Sequence, residues 1–192
     1  MRAYIAIFPD ESLIQEAQKV MQTLDKFNLK LNLTPNHQLH LTLKFLGDEV
    51  EADVITKINQ NLLVSLKQIP ELMVRVQGLS FGFDPNDENP YALFIKVLPN
   101  NQLEYLKQIV DLTVRETGIN SSIEPEFIPH ITLARNYNQL QAEEVTMLRK
   151  YCNQVQFDFE FNVNQVKIVK SEMHQTGAVH TILQTIPLTK QN

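Results

Sequence analysis

The chain of 192 residues holds a single cysteine, Cys152, so it cannot close a disulfide within itself; a reducing, cytoplasmic home is the expectation. Long apolar runs are missing. Tyr4–Phe8 and Tyr91–Ile95 reach strand length only, which speaks against a membrane-crossing helix. The opening Met1-Arg2-Ala3-Tyr4 has one basic residue and a very short apolar stretch, so no secretory leader is expected. Positive charge is scarce too. Against 22 Asp and Glu stand 17 Lys and Arg, a formal net charge of −5. Such a chain is poorly suited to gripping long nucleic acid, where affinity comes largely from cations on phosphates. One phosphate in a locally basic cleft remains compatible with that balance.

What is present is an ordinary globular composition, 43% hydrophobic and 20% charged, too apolar for a solvated coil and long enough to bury a core. The chain also repeats itself. Under an offset of 90 residues Pro9 falls on Pro99, Pro35 on Pro125, His40 on His130, Thr42 on Thr132 and Leu43 on Leu133. The stripe Leu13, Val20, Leu24 falls on Leu103, Val110, Val114, and Ile55, Ile58, Leu62 on Val145, Leu148, Cys152. Prolines, histidines and apolar stripes sharing one phase indicate a duplication. The expected organisation is a single domain, 1–192, made of two pseudo-repeats, about 1–90 and 91–192.

Each repeat reads alike. A buried strand (Tyr4–Phe8, Ala92–Leu98) runs into Pro9-Asp10 or Pro99-Asn100, where Asp or Asn offers a helix N-cap. An amphipathic helix follows, its end marked by Asn28 or Gly118. A polar loop with Pro35 or Pro125 leads to a strand, His40–Leu46 or His130–Arg135. A second helix covers about Glu51–Leu66 or Gln141–Cys152. Leu72–Phe81, Gln154–Val169 (two strands turning near 162–164) and His180–Leu188 complete the strands, and Asp84–Pro90 is a connecting turn. The predicted fold class is α+β. Two lobes related by a pseudo-two-fold axis each place an antiparallel-rich sheet under two helices on the outer face, around a shared central cleft.

Side chains alternate along a strand. His40 and Thr42 therefore face one way and Leu41 and Leu43 the other, and likewise His130 and Thr132 against Ile131 and Leu133. The apolar faces are expected on the two helices of their own lobe, which turns both His/Thr faces into the cleft. Two imidazoles there make an acid–base pair near neutral pH. Phosphoester cleavage needs both partners, and two threonine hydroxyls can steady the anion. The residues alone do not say which histidine is the acid. No Asp or Glu shares these strand faces and His37-x-x-His40 does not read as helix, so no metal or cofactor is expected.

His40-Leu41-Thr42-Leu43-Lys44-Phe45-Leu46-Gly47 and His130-Ile131-Thr132-Leu133-Ala134-Arg135 resemble the paired H-x-T-x motifs of the 2H phosphoesterase superfamily. Within it the chain looks like bacterial RNA 2′,3′-cyclic phosphodiesterases, also called 2′-5′ RNA ligases. Arg2–Ile7 and the tail segments Ser171–Met173, Gly177-Ala178 and His180–Leu183 carry the likeness nearly end to end. The resemblance implies metal-independent opening of a terminal 2′,3′-cyclic phosphate to a 2′-phosphate, with His40 as proton donor and His130 as acceptor. RNA 3′ ends or small cyclic nucleotides are the implied partners. A monomer with no membrane and no obligate protein partner is expected.

Four further residues are lower-ranked substrate contacts. Arg135 ends H-x-T-L-A-R but by parity lies on the helix side, so a phosphate contact requires a bulge there. Lys44 shares parity with His40 and Thr42. Phe45, its neighbour, reads as core or as a stacking edge for a base. His180 stands where relatives usually carry tyrosine and reads as an ordinary strand histidine; His37 and His174 read as exposed. Two other functions use the same residues: an RNA ligase joining a cyclic phosphate to a 5′ hydroxyl, and a non-catalytic module binding nucleotides or RNA ends.

Overall fold

The computed structural model describes residues 1–119, 126–174 and 177–190. The stretch containing Pro125 therefore lies outside the described residues. In chain order come β1 (Ala3–Ile7), α1 (Glu11–Asp25), β2 (Leu31–Leu33), β3 (Leu41–Gly47), α2 (Ala52–Ser65) and β4 (Leu72–Phe81). Then follow β5 (Ala92–Val97), α3 (Asn101–Arg115), β6 (His130–Asn136), α4 (Ala142–Gln154), β7 (Asp158–Val163), β8 (Gln165–His174) and β9 (Gly177–Pro187). No helix among these residues is long and apolar enough to cross a membrane.

The long helices begin and end where the sequence marks them. Asp10 and Asn100 each accept a hydrogen bond at 3.0 Å from a backbone N–H three residues on, Leu13 or Leu103. Leu13, Ala17, Val20 and Leu24 bury one stripe of α1, and Leu103, Leu106, Val110 and Val114 the same stripe of α3. Past the helix ends Asn28 and Gly118 both take left-handed backbone, φ 52° and 82°, which turns the chain away.

The strands form one sheet in the order β7-β4-β5-β6-β3-β1-β8-β9, with β2 added beside β6, and every named pair is antiparallel. The α+β class is as expected: a curled antiparallel sheet with four helices. Its centre is the β3–β6 seam, where Leu41 pairs with Ile131. Both are fully buried in a core shared with Ile5, Ile7, Ile95 and the helix stripes. Cutting either to alanine would cost about 2–5 kcal/mol, because the rigid seam cannot collapse onto the hole.

The two halves of the sequence are interleaved. β4 crosses to sit between β7 and β5, while β8 and β9 return to extend the sheet beyond β1. α1 packs on β6 and β7, α3 on β3 and β4, α2 on β9 and α3, and α4 on β4. Each side of the seam thus carries two helices, but one of each pair comes from the other half of the chain. That corrects the expectation that each histidine strand lies on its own helices. The reason is reach: a 15-residue helix is about 22 Å long and overlies several strands spaced about 5 Å apart.

Candidate active site

β3 and β6 bring the two His-x-Thr segments together at the seam. With Leu41 opposite Ile131 in an antiparallel pair, His40 comes abreast of Thr132 and Thr42 abreast of His130. The leucine and isoleucine face the core, so all four polar side chains share the other face.

Both imidazoles are held alike. His40 Nδ1 lies 2.6 Å from the carbonyl of Gln38, and His130 Nδ1 lies 2.7 Å from the carbonyl of Ile128. A carbonyl only accepts, so each Nδ1 carries a hydrogen and donates it; Nε2 is left as the nitrogen that can exchange a proton.

Beyond each threonine the strand bulges. Ile5 pairs with Lys44 and Ala6 with Thr42, leaving Leu43 as an extra residue; Leu93 pairs with Ala134 and Phe94 with Thr132, leaving Leu133. An inserted residue reverses the alternation that follows it. Lys44, expected beside His40 and Thr42, is therefore corrected. It shares the face of Ile5, is buried, and its ammonium lies 3.7 Å from the Asp111 carboxylate of α3. Phe45 turns onto the cleft face, where it packs with Tyr4, Ala6, Phe8 and Val169. Arg135, which parity alone put among the helices, is turned the same way by the second bulge. Its guanidinium carbon lies 5.4 Å from the Tyr91 ring centroid. Its charge is near enough to depress the basicity of His40, His130 and His180.

Around His40 sits a partly polar cluster. Tyr4 stacks on it with ring centroids 4.8 Å apart, and His180 meets it edge-on at 5.3 Å. The Tyr4 hydroxyl is 2.8 Å from His180 Nδ1. His180 is therefore no isolated strand histidine. Around His130 the rings are hydrocarbon: Phe94 at 5.1 Å and Phe83 edge-on at 5.0 Å, the two phenylalanines stacked at 4.5 Å. Sequence reading missed Tyr4, Phe83 and Phe94 as site residues. One signal was available, since Tyr4 falls on Phe94 under the offset of 90. It also missed Lys167, whose ammonium stands 4.6 Å over the Phe8 ring. His37 and His174 are exposed, as expected.

Electrostatics favour neutral rings in the free site. Burial pushes His40 down from 6.5 to about 4; the Gln38 carbonyl opposes this, while His180, Arg135 and His130 add to it. His130 and His180 are lowered by burial first and by Arg135. Burial holds the Tyr4 phenol well above its ordinary value, so it keeps its proton. Among the described residues no three His, Cys, Asp or Glu side chains gather closely enough to hold a metal ion. What does gather is two imidazoles with available Nε2 atoms, two hydroxyls and a guanidinium. That set can hold an oxyanion and move protons on both sides of it.

Residues 8–175 match the family described as the 2′-5′ RNA ligase superfamily. A protein of Aquifex aeolicus named RNA 2′,3′-cyclic phosphodiesterase is 29% identical over 187 residues, covering 96% of this chain and 95% of its own. One of Thermotoga maritima with the same name is 27% identical over 184 residues, covering 95% and 93%. The crystal structure of TT0787 of Thermus thermophilus superposes with a TM-score of 0.78 at 26% identity over the whole of both chains. That of apo E. coli LigT, 18% identical, gives 0.75 over 98% and 97%. With a match running through both histidine strands and most of the sheet, the chain belongs to the 2′-5′ RNA ligase superfamily of 2H phosphoesterases.

Proposed function

We propose that this protein is a phosphodiesterase that opens the 2′,3′-cyclic phosphate at an RNA end and leaves a 2′-phosphate. The observation that carries the reading is the matched pair of imidazoles on one face of the sheet, each tied through Nδ1 to a backbone carbonyl so that its Nε2 is the nitrogen left to exchange a proton. The names of the relatives give the reading its substrate.

In this mechanism His130 Nε2 takes a proton from water as the water oxygen bonds to phosphorus. The bond from phosphorus to the 3′ oxygen breaks, and His40 Nε2 gives that oxygen its proton. The product keeps phosphate on the 2′ oxygen and a hydroxyl at 3′, and the two histidines have exchanged charge states. Thr42, Thr132 and Arg135 hold the non-bridging oxygens as negative charge builds on them. A donor must be charged, yet His40 in the free site is largely neutral at pH 7. The bound phosphate supplies the missing stabilisation: an anion beside the ring and beside Arg135 favours imidazolium. Substrate binding and proton uptake are thus one event in this scheme.

The test is product identity. RNA ended by a 2′,3′-cyclic phosphate is incubated with the protein in EDTA, and 2′- and 3′-phosphate ends are resolved. A 2′-phosphate that vanishes with His40→Ala and with His130→Ala is the expected result. A 3′-phosphate product would reverse the leaving oxygen, and turnover lost in EDTA would require a metal. Tight binding without turnover would make the protein a binder of RNA ends.

A further inference from the structure

Behind the sheet, on the face opposite the histidines, two lysines are buried where the core would accept hydrocarbon. Lys107 falls on the inward stripe of α3, between Leu103 and Val110, and is 7% exposed; Lys44 is 6% exposed. Both ammoniums reach Asp111, one turn beyond Lys107. Lys107 Nζ lies 2.6 Å from each carboxylate oxygen, and Lys44 Nζ lies 3.7 Å from one of them. Burying such charges is costly, and well-packed apolar residues of like size are often as stable or more so. Cohesion alone therefore does not account for the cluster. Its surroundings suggest more. The Lys107 ammonium also stands 5.5 Å from the centroid of the Phe127 ring, within cation–π range. Phe127 packs, half-buried, against the core. The next residue is Ile128, whose carbonyl accepts the Nδ1 hydrogen of His130 at 2.7 Å.

The two histidine tethers differ in what holds them. Gln38, which serves His40, closes a 3₁₀ turn over Asn36–Gln38. That turn is bonded through its own backbone, Gln38 N–H to the Pro35 carbonyl at 2.8 Å and Leu39 N–H to the Asn36 carbonyl at 3.3 Å. Residues 126–129, which serve His130, belong to neither helix nor strand. Pro129 confines Ile128 to extended backbone but does not fix where the segment sits. The Phe127 ring, set against the core and beneath a buried cation, does fix it. We infer that Asp111 and Lys107 are positioning residues for His130: they brace Phe127 from the helix layer, so that the adjoining Ile128 carbonyl stays in place and keeps the hydrogen on His130 Nδ1. Lys44 holds the same carboxylate against β3, which anchors the brace to the sheet. A displaced carbonyl would let that hydrogen pass to Nε2, and a ring protonated there cannot take a proton from water. The kinetic consequence rests on the two-histidine phosphodiesterase reading; the structural one does not.

The first readout needs no substrate. Long-range proton–nitrogen correlation spectra of the full chain, taken at mildly alkaline pH where the imidazoles are neutral, report which nitrogen of each histidine carries the hydrogen. Asp111→Asn and Lys107→Leu should each change the His130 pattern from Nδ1–H to a mixture with Nε2–H. His40, whose tether is separate, should stay at Nδ1–H in both. Lys107→Leu guards against a variant that fails to fold, since leucine suits an inward stripe. The second readout is turnover of an RNA ended by a 2′,3′-cyclic phosphate. In each variant kcat should fall about tenfold or more with KM little changed, because the groups that hold phosphate remain while the base is misplaced. Phe127→Ala should match that loss, and Asp111→Asn/Phe127→Ala should cost no more than the larger single loss, since both act through one carbonyl. A His130 pattern left at Nδ1–H in the folded variants overturns the brace and leaves the cluster a structural ion pair. A His40 pattern that changes along with that of His130 overturns it too, as do losses that multiply in the double variant. Should the wild type not turn over the RNA, the phosphodiesterase reading fails, and the spectra alone decide the brace.

Discussion

The His40 and His130 sides of the cleft share one backbone and differ in the rings that surround it. Both histidines donate Nδ1–H to a carbonyl two residues upstream, and both strands bulge at the residue after the threonine. Yet His40 touches a phenol hydrogen-bonded to a third imidazole, whereas His130 touches two phenylalanines. The bulges diverge in the same manner: one turns Phe45 onto the cleft face and the other turns Arg135 there. Main-chain geometry holds the two imidazoles alike, and side chains then break the equivalence. An acid and a base are needed in different places, so a perfectly symmetric site would serve phosphoester chemistry poorly.

The largest test of this asymmetry sets Arg135 against its counterpart. Arg135→Ala should lower kcat/KM by about hundredfold or more, the loss typical of one donor to a developing oxyanion. Phe45→Ala should cost less than about tenfold, and steady-state kinetics on the cyclic-phosphate substrate checks both. If the two losses are equal, the second bulge does not serve the phosphate.

Next in size is a stability effect. The unfolded chain protonates His40 near 6.5, while the folded chain resists until about 4. Between those values the unfolded state binds more protons, so stability falls with falling pH by up to about 3 kcal/mol. His40→Gln should flatten that part of the curve in urea titrations from pH 7 to 4; an unchanged slope would mean that His40 titrates normally. The same direction governs rates. With both imidazoles lowered, kcat/KM should follow a bell centred on the acid side of 6.5. The profile of kcat should move to higher pH, since bound phosphate favours the charged ring. A kcat/KM bell centred above 6.5 would contradict the desolvated pair.

The smallest effect concerns the polar cluster. Tyr4→Phe removes one hydrogen bond to His180 and makes the His40 side resemble the His130 side, where Phe94 already stands. A stability loss of about 1 kcal/mol is expected from denaturant titration, with less than tenfold change in kcat. A far larger kinetic loss would give the phenol a direct part in the reaction.

Much of this was legible in the sequence because it is local. Asp10 and Asn100, the apolar stripes and the left-handed Asn28 and Gly118 each act within a turn or two of themselves. The shared phase of His40 and His130 also announced a paired site, and strand alternation put the histidines and threonines on one face. What escaped is non-local or has no composition of its own. The bulges sit on ordinary leucines, Leu43 and Leu133, so parity counted straight through them misplaced Lys44 and left Arg135 among the helices. β2 is three residues long and exists by pairing with β6. His180 reads as any strand histidine until β9 pairs with β8 and β8 with β1, which sets it beside Tyr4. The exchange of helices between halves left no mark in either repeat taken alone.

That exchange bears on how the protein comes to be made. β1 has β8 as its outer neighbour, with Ile5 paired to Ile168, and β4 lies between strands from the later half. While a ribosome is still reading the first ninety codons, the emerging segment has neither the strand that covers its sheet edge nor the helix that covers the face of β3. Unmatched edges invite pairing with other chains, and contacts so distant along the chain close slowly. The N-terminal half must therefore wait, exposed, for the C-terminal half to be synthesised. Fragments divided in the Asp84–Pro90 loop should stay unstructured apart and become ordered only when mixed.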